Sequence, residues 1–441
     1  MDGIKPIFFR RWHMLLNMTI ANFKSVKSPQ TISFEAVKDS RLSASKVMEI
    51  NDRLNIIKTS AIIGPNGAGK SSFVRALEVL KRIVMAEDGP ENPLQGALTG
   101  TTFAYGIDKA TPATISIEVL LDKGEEGNEE KPSIIAIYTL KANKEKIYEE
   151  SLYYLINNSK KLMFERILTD DGYSYRFGKY YRGEKKRQAA KLPENRTFLA
   201  GSARKGGQTS LELYTWFEKT LHILPMGVST KAEAYACEML KAHPGWGEQI
   251  LNYLWAVDIT DISRIEVKTN DKGEDHLRFT HIYVNDKRAE GYANMFAGES
   301  LSLRRLVVLG FAFFEAFITQ KVLVIDDFGQ LLHPNVLCHL VEIFENCDKE
   351  SQMLVVDCNP SLLRDGLLRR DAVWFAQKDQ ESSTVYYSLS DFKGAKGRIP
   401  TSQRYMQGAY GSLPIISEFW FVHDGTPVEA EKKEEVSDEN A

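Results

Sequence analysis

Gly64-Pro-Asn-Gly-Ala-Gly-Lys-Ser-Ser72 decides how this chain is read. It fits G-x-x-x-x-G-K-[ST], the phosphate-binding loop of nucleotide-hydrolysing proteins. The flanking text agrees. Residues 59–63 (TSAII) are a short apolar run that predicts a strand. Residues 71–84 predict an amphipathic helix, with Phe73, Leu77, Leu80 and Val84 near one face. Strand, glycine turn and helix start make a phosphate cradle. The backbone of Asn66, Gly67, Ala68, Gly69, Lys70, Ser71 and Ser72 would turn its N–H groups inward, and the helix N-terminus adds partial positive charge. Lys70 would reach the β- and γ-phosphates, and the Ser71 hydroxyl would hold Mg²⁺. A chance glycine-rich turn does not account for the agreement of all these parts, so the stretch implies a nucleoside triphosphate.

A second stretch completes the reading. Lys321-Val-Leu-Val-Ile-Asp-Asp327 is an apolar run ending in two acids. Such a run predicts a buried parallel strand whose C-terminal end faces the nucleotide. Asp326 suits a Walker B aspartate on Mg²⁺, and Asp327 a water-activating carboxylate. Just upstream, Glu299-Ser-Leu-Ser-Leu-Arg-Arg-Leu306 opens a predicted helix over 299–319. Two readings of it stand. Ser300 or Ser302, with the N-terminus of that helix, can donate to a γ-phosphate, or Ser300 can be a plain N-cap with Arg304 and Arg305 on the wet face.

The 441 residues exceed one average domain, and 43% hydrophobic with 26% charged content is ordinary for a globular protein. A net charge of −3 gives no global sign of nucleic-acid binding. No apolar run is long enough to predict a membrane span, and no signal core follows the basic N-terminus, which predicts a cytoplasmic location. Cys237, Cys338, Cys347 and Cys358 form no close ligand pairs and are expected as buried free thiols.

Strands are predicted over 14–23, 31–34, 115–121, 133–140, 151–155 and 162–166, and again over 262–268, 281–285 and 352–356. Helices are predicted over 211–224, 230–243, 246–255 and 334–348. The acidic stretch from 424 predicts a disordered tail. Between Arg176 and Lys205 ten basic residues follow or interleave with Tyr173, Tyr175, Phe177, Tyr180 and Tyr181. That composition suits a nucleic acid, and equally a solvated hairpin and loop. Asp357 and Asn359 can orient water or Mg²⁺, or can be satisfied strand-end groups. His333 suits packing or an interface rather than a metal.

The order of several pieces resembles the small RecF/OLD/SMC-like ABC ATPases of bacteria, the group found alone or beside RloB-type nucleases in defence islands. These pieces are N-M-T-I-A-N-F-K-S-V (17–26), the phosphate loop, E-S-x-S-x-R-R-L (299–306), and V-L-V-I-D-D with L-L-H-P (331–334). R-R-D-A-V-W-F (369–375), S-L-S-D-F (388–392) and Y-M-Q-G-A-Y-G-S-L-P (405–414) follow. The resemblance implies an α/β fold, a split ABC-type ATPase head (P-loop NTPase) with an inserted α+β middle lobe. Residues 1–110 would carry its N-terminal half, 111–290 the lobe, 291–423 the C-terminal half and 424–441 the tail. It further implies ATP and Mg²⁺ as ligands, and a homodimer or higher even-numbered oligomer with Ser300 and Ser302 completing the partner's site. A separate effector protein, a nuclease or toxin, is implied as well.

Three positions depart from the family pattern. Ser302 stands where Gly is usual, Asp327 where Glu is usual, and Asp357-Cys358 where a Thr-His pair is usual, with Cys358 at the switch position. Asp is one methylene shorter than Glu, which withdraws its reach by about 1.5 Å and can cost ~10²-fold in rate. The expectation is an ATPase of slow or partner-dependent turnover that controls an effector in anti-phage defence. The alternatives are a RecF-like DNA-repair ATPase and a non-hydrolysing, nucleotide-gated scaffold.

Overall fold

In the computed structural model, residues 13–37, 45–51, 53–105, 110–121, 134–156, 158–224, 229–285, 288–392 and 399–416 are described. The tail expected from 424 lies outside them. The central sheet has six strands: β1 (Thr59–Ile63), β2 (Leu221–Ile223), β3 (Val322–Ile325), β4 (Gln352–Asp357), β5 (Val373–Lys378) and β6 (Thr384–Ser388), in spatial order β2-β3-β4-β1-β5-β6. All neighbours are parallel except the β5–β6 pair. Strands β1, β3 and β4 are buried along their whole length. That burial is why they read as continuous apolar runs: a parallel sheet is covered on both faces.

Alternate side chains of these strands enter two different cores. Ile62, Val322, Val324, Leu354 and Val356 join the first, with α1 (Lys70–Met85) and a large antiparallel sheet. Ala61, Ile63, Leu323, Ile325, Met353 and Val355 join the second, with α2 (Leu301–Thr319), α3 (Pro334–Glu345) and helices Thr230–Ala242 and Trp246–Ala256. The three-stranded sheet Ile262–Thr269, Asp275–Asn285 and Arg288–Met295 closes that second side.

The antiparallel sheet has seven strands. Its order is Gly172–Phe177, Ser159–Thr169, Ile147–Ile156, Ile134–Ala142, Ala113–Leu121, Leu15–Ala21 and Gln30–Ser33. It runs across the 110/111 line drawn from the sequence, because Leu15–Ala21 finds its partner in Ala113–Leu121. A buried amide staples it to the central sheet: the Leu15 N–H donates to Gln352 Oε1, and Gln352 Nε2 donates back to Leu15 O, both at 2.9 Å.

The helix predicted over 211–224 is corrected. A helix covers Gln208–Thr215, a single wide turn follows at Trp216–Thr220, and 221–223 is edge strand β2. Trp216 and Phe217 are fully buried, and β2 supplies the hydrogen bonds that β3 needs on its outer side. The four cysteines are free, Cys237 and Cys338 buried, but Cys347 is half-buried and Cys358 exposed, so burial was expected of two too many. No helix among the described residues is long and apolar enough to cross a membrane.

Candidate functional site

The phosphate loop joins the C-terminal end of β1 to the first turn of α1. Gly67 and Gly69 have φ of 78° and 97°, a region side chains avoid. At Gly69 the surroundings forbid a side chain as well: a Cβ would lie 2.0 Å from Thr384 Oγ1 and 2.3 Å from Ser25 Oγ. Strand β6 braces the loop from outside. Thr384 Oγ1 lies 2.7 Å from both Ala68 O and Ser25 Oγ, and the Tyr386 hydroxyl donates to Gly69 O at 2.8 Å. Ser25 Oγ in turn lies 2.8 Å from Ser72 Oγ. Lys70 is 7% exposed, and its ammonium donates to Pro65 O at 3.0 Å, folded back over its own loop.

Ser71 Oγ donates to Asp326 Oδ1 at 3.1 Å. Two hard oxygen groups thus meet at the loop's base, a donor set that fits Mg²⁺. Among the described residues no group of three or more His, Cys, Asp or Glu could hold a metal. A cation here would therefore complete its shell with phosphate and water oxygens, as Mg²⁺ does beside nucleotides. Burial pushes the Asp326 carboxyl above its ordinary value; the Ser71 hydrogen bond opposes the shift, and neighbouring Asp327 adds to it.

Asp327 follows in a left-handed turn, φ 48°, with its N–H on Asp326 Oδ1 at 3.1 Å. Asp357, at the end of adjacent β4, accepts from the Gly329 and Asn359 N–H groups, the latter at 2.8 Å. Asn359 Oδ1 accepts from Ser361 N at 3.0 Å. Both are occupied as strand-end groups that fasten the turns after β3 and β4. Cys358 beside them is exposed. His333 caps α3, its Nδ1 accepting from Asn335 N at 3.2 Å.

The two serines of the predicted signature are exposed at the start of α2. Ser300 is the N-cap, accepting from Leu303 N at 3.2 Å, and Ser302 Oγ donates to Leu331 O at 2.7 Å in the turn after β3. The placement of Arg305 on the wet face is corrected: it is 1% exposed, because this side of α2 packs against the end of β3.

A cleft of about 490 Å³ opens on the loop, in the size range of small-molecule sites. Beside Lys70 and Ser71 it is lined by Lys24, Ser25, Tyr105 and Lys378, none of which the motif reading selected. Burial lowers the pKa of Lys378, which donates to Ser382 O at 2.8 Å. The one sequence signal was N-F-K-S at 22–25, whose Asn22 and Lys24 both take positive φ.

Part of the basic segment serves structure. Tyr175, Phe177 and Tyr181 cluster on Phe198, and Tyr173 lies under the Arg166 guanidinium, 3.9 Å from ring centroid to Cζ. These aromatics are thus packing groups rather than a stacking platform. Arg176 pairs with Glu165. Arg196 and Arg204 grip carbonyls at and just beyond the end of α1: Arg196 those of Glu87, Gly89 and Glu91, Arg204 those of Met85 and Ala86. Lys179, Arg182, Lys186, Arg187 and Lys191 remain exposed.

Residues 60–209 match the family model described as "AAA domain, putative AbiEii toxin, Type IV TA system". A search of curated proteins finds no match to this chain. Among solved structures the chain is similar to an Smc head bound to the C-terminal winged-helix domain of ScpA (12% identity, 85% of this chain and 97% of that one, TM-score 0.46). It is also similar to the SMC head domain of Thermotoga maritima (14%, 85% and 98%, TM-score 0.38). A third is the Pyrococcus furiosus Smc head with an extended coiled coil bound to the C-terminal domain of ScpA (12%, 90% and 98%, TM-score 0.43). The matched residues 60–209 hold the phosphate loop and most of the antiparallel sheet, and the chain has the α/β fold of a P-loop ATPase, built for nucleotide binding.

Proposed function

We propose that this protein is an ABC-class ATPase in which two copies enclose ATP, the phosphate loop of each facing Ser300 and Ser302 of the other. The observation that carries the reading is the 3.1 Å contact between Ser71 and Asp326, residues 255 apart in sequence. It joins the phosphate loop to the end of β3 at the point where a triphosphate's metal would sit. Lys70 would exchange Pro65 O for the β- and γ-phosphates, and the N–H groups of 66–72 would hold their oxygens. Ser71 and Asp326 would hold Mg²⁺, which supplies charge neutralisation on the phosphates. Asp327 would orient and deprotonate the attacking water. Its short side chain makes turnover slow or dependent on a partner.

Association by ATP would serve to control a separate effector, a nuclease or toxin, in cytoplasmic anti-phage defence; the match of residues 60–209 to a putative AbiEii toxin domain supports that direction. The exposed Lys179, Arg182, Lys186 and Arg187 offer a surface for nucleic acid. A second reading, the nucleotide-gated scaffold without turnover, is favoured by one contact: the Ser302 hydroxyl is already held by Leu331 O within its own chain. Measuring ATP binding, phosphate release and sedimentation, each with and without Mg²⁺ and DNA, separates the two. Binding with Mg²⁺-dependent release and association supports the ATPase. Binding without release supports the scaffold, and no binding overturns both.

A further inference from the structure

Arg305 is among the largest fully buried side chains of the molecule. It lies on the second turn of α2, a few residues beyond Ser300 and Ser302. Its Nη2 donates to two successive carbonyls, Asp326 O at 3.3 Å and Asp327 O at 3.1 Å. Among the described residues its Nε and Nη1 have no hydrogen-bond partner, and neither has the buried Tyr253 hydroxyl. The carboxylates of Asp327, Asp357 and Asp326 lie within electrostatic reach of the guanidinium. Burial works against its charge, yet arginine keeps its proton in proteins. A fold that only needed to fill this space would do so more cheaply with an apolar side chain.

What the guanidinium holds is an unfavourable piece of backbone. Asp327 has φ 48°, a conformation that non-glycine residues rarely adopt unless the surroundings impose it. Its N–H is tied to Asp326 Oδ1 and its carbonyl to Arg305, so the peptide on each side of the Asp327 Cα is fixed. Those two anchors set the direction in which the Asp327 Cα–Cβ bond leaves the turn.

We propose that Arg305 is a positioning residue: it locks the Asp326–Asp327 turn so that the Asp327 carboxylate is presented toward the phosphate loop, and it ties that turn to the outward-facing start of α2. The role rests on the ATPase reading above. It also gives a physical route by which a phosphate docking at Ser300 and Ser302 would be felt at Asp327: both ends are fastened to one helix.

The test compares native protein with Arg305→Gln and Arg305→Lys, reading kcat, KM, equilibrium affinity for a non-hydrolysable ATP analogue, and thermal midpoint. Arg305→Gln is expected to lower kcat about 100-fold, since a misaimed group about 1 Å out of place costs that much. KM and analogue affinity should stay within about threefold, because no phosphate contact is removed. Arg305→Lys keeps the charge, but its ammonium stops one bond short of the Nη2 position that holds both carbonyls, and should give an intermediate kcat at native KM. It also decides the matter if the Gln variant does not fold. A purely structural role would lower analogue affinity and thermal midpoint together with kcat. That result overturns the proposal, as does native kcat in Arg305→Gln or, if only it folds, in Arg305→Lys. Native protein that binds ATP without turnover overturns the hydrolytic reading itself, and this role with it; the native control shows that before any variant is considered.

Discussion

The phosphate loop and the start of α2 carry similar polar residues but dispose of them differently. Around the loop, Ser25, Ser72, Thr384 and Tyr386 close on one another and on the backbone of Ala68 and Gly69, with Asp326 reaching in from β3. The cradle is built wholly within one chain. At α2, Ser300 and Ser302 stand exposed, and their hydroxyls are occupied by a cap and by Leu331 O. The difference teaches that the walls of the phosphate loop are assembled from this chain alone. Use of the serines on a phosphate requires exchanging a local bond for an external one, which only a second body can supply. The basic segment divides the same way: Arg196 and Arg204 turn inward to the carbonyls after α1, while Lys186 and Arg187 turn outward.

The largest effect should come from the inward side. Asp327→Asn is expected to lower phosphate release by ~10²–10⁴-fold, the range for losing a positioned base, with ATP-analogue affinity unchanged. Release at the native rate would show that Asp327 does not activate the water. Next, Lys70→Ala removes a charge-assisted phosphate contact of about 1.5–3 kcal/mol and should weaken ATP binding by ~10- to 150-fold in a titration. Native affinity in that variant breaks the assignment of the loop.

On the outward side the effects should be smaller and should leave binding alone. Replacing Ser300 and Ser302 together with Glu sets like charges against a partner's phosphate and should weaken ATP-dependent association at least about tenfold in sedimentation, at native monomer affinity for ATP. If ATP binding falls in step, the two regions are not separate after all. Ser302→Gly with Asp327→Glu should raise turnover above native, since one removes the cis bond to Leu331 and the other restores reach. Smallest is reversal of Lys185, Lys186 and Arg187 to Glu: the slope of log affinity for DNA against log salt should shrink by about one for each phosphate that is no longer neutralised. An unchanged slope returns these residues to a solvated surface.

The parts of this fold that could be read along the chain are those whose rule is local. A parallel strand covered on both faces must be apolar throughout, so β1, β3 and β4 were visible as runs. Gly-x-Gly before Lys70 announces positive φ, and Gly67 and Gly69 have it. Lys321 through Asp327 placed Asp326 at a strand end, where it lies. Edge strand β2 was hidden, because three residues that pair on one side only leave no periodicity, and their neighbours Trp216 and Phe217 read as helix. Arg305 was hidden for a different reason. Charge predicts solvent, and only a set of facing carboxylates and free carbonyls brought from β3 and β4 makes burial tolerable. The packing of Tyr175, Phe177 and Tyr181 could not be read from 173–181, because their partner, Phe198, comes from a later helix.

The sequence by itself determined that there is a phosphate loop, an aspartate-ended strand and a serine-capped helix, since each is written in residues that are contiguous and obey backbone stereochemistry or apolar periodicity. Only the tertiary structure decided which of them meet. Ser71 reaches Asp326 because β4 lies between β1 and β3 in one parallel sheet. Thr384 and Ser25 close the loop because β6 and the turn after the first strand arrive at its outer wall. Ser302 is held within its own chain because the turn after β3 claims its hydroxyl. Such contacts join positions hundreds of residues apart. They are set by sheet order and by what each core must bury, neither of which any local stretch encodes.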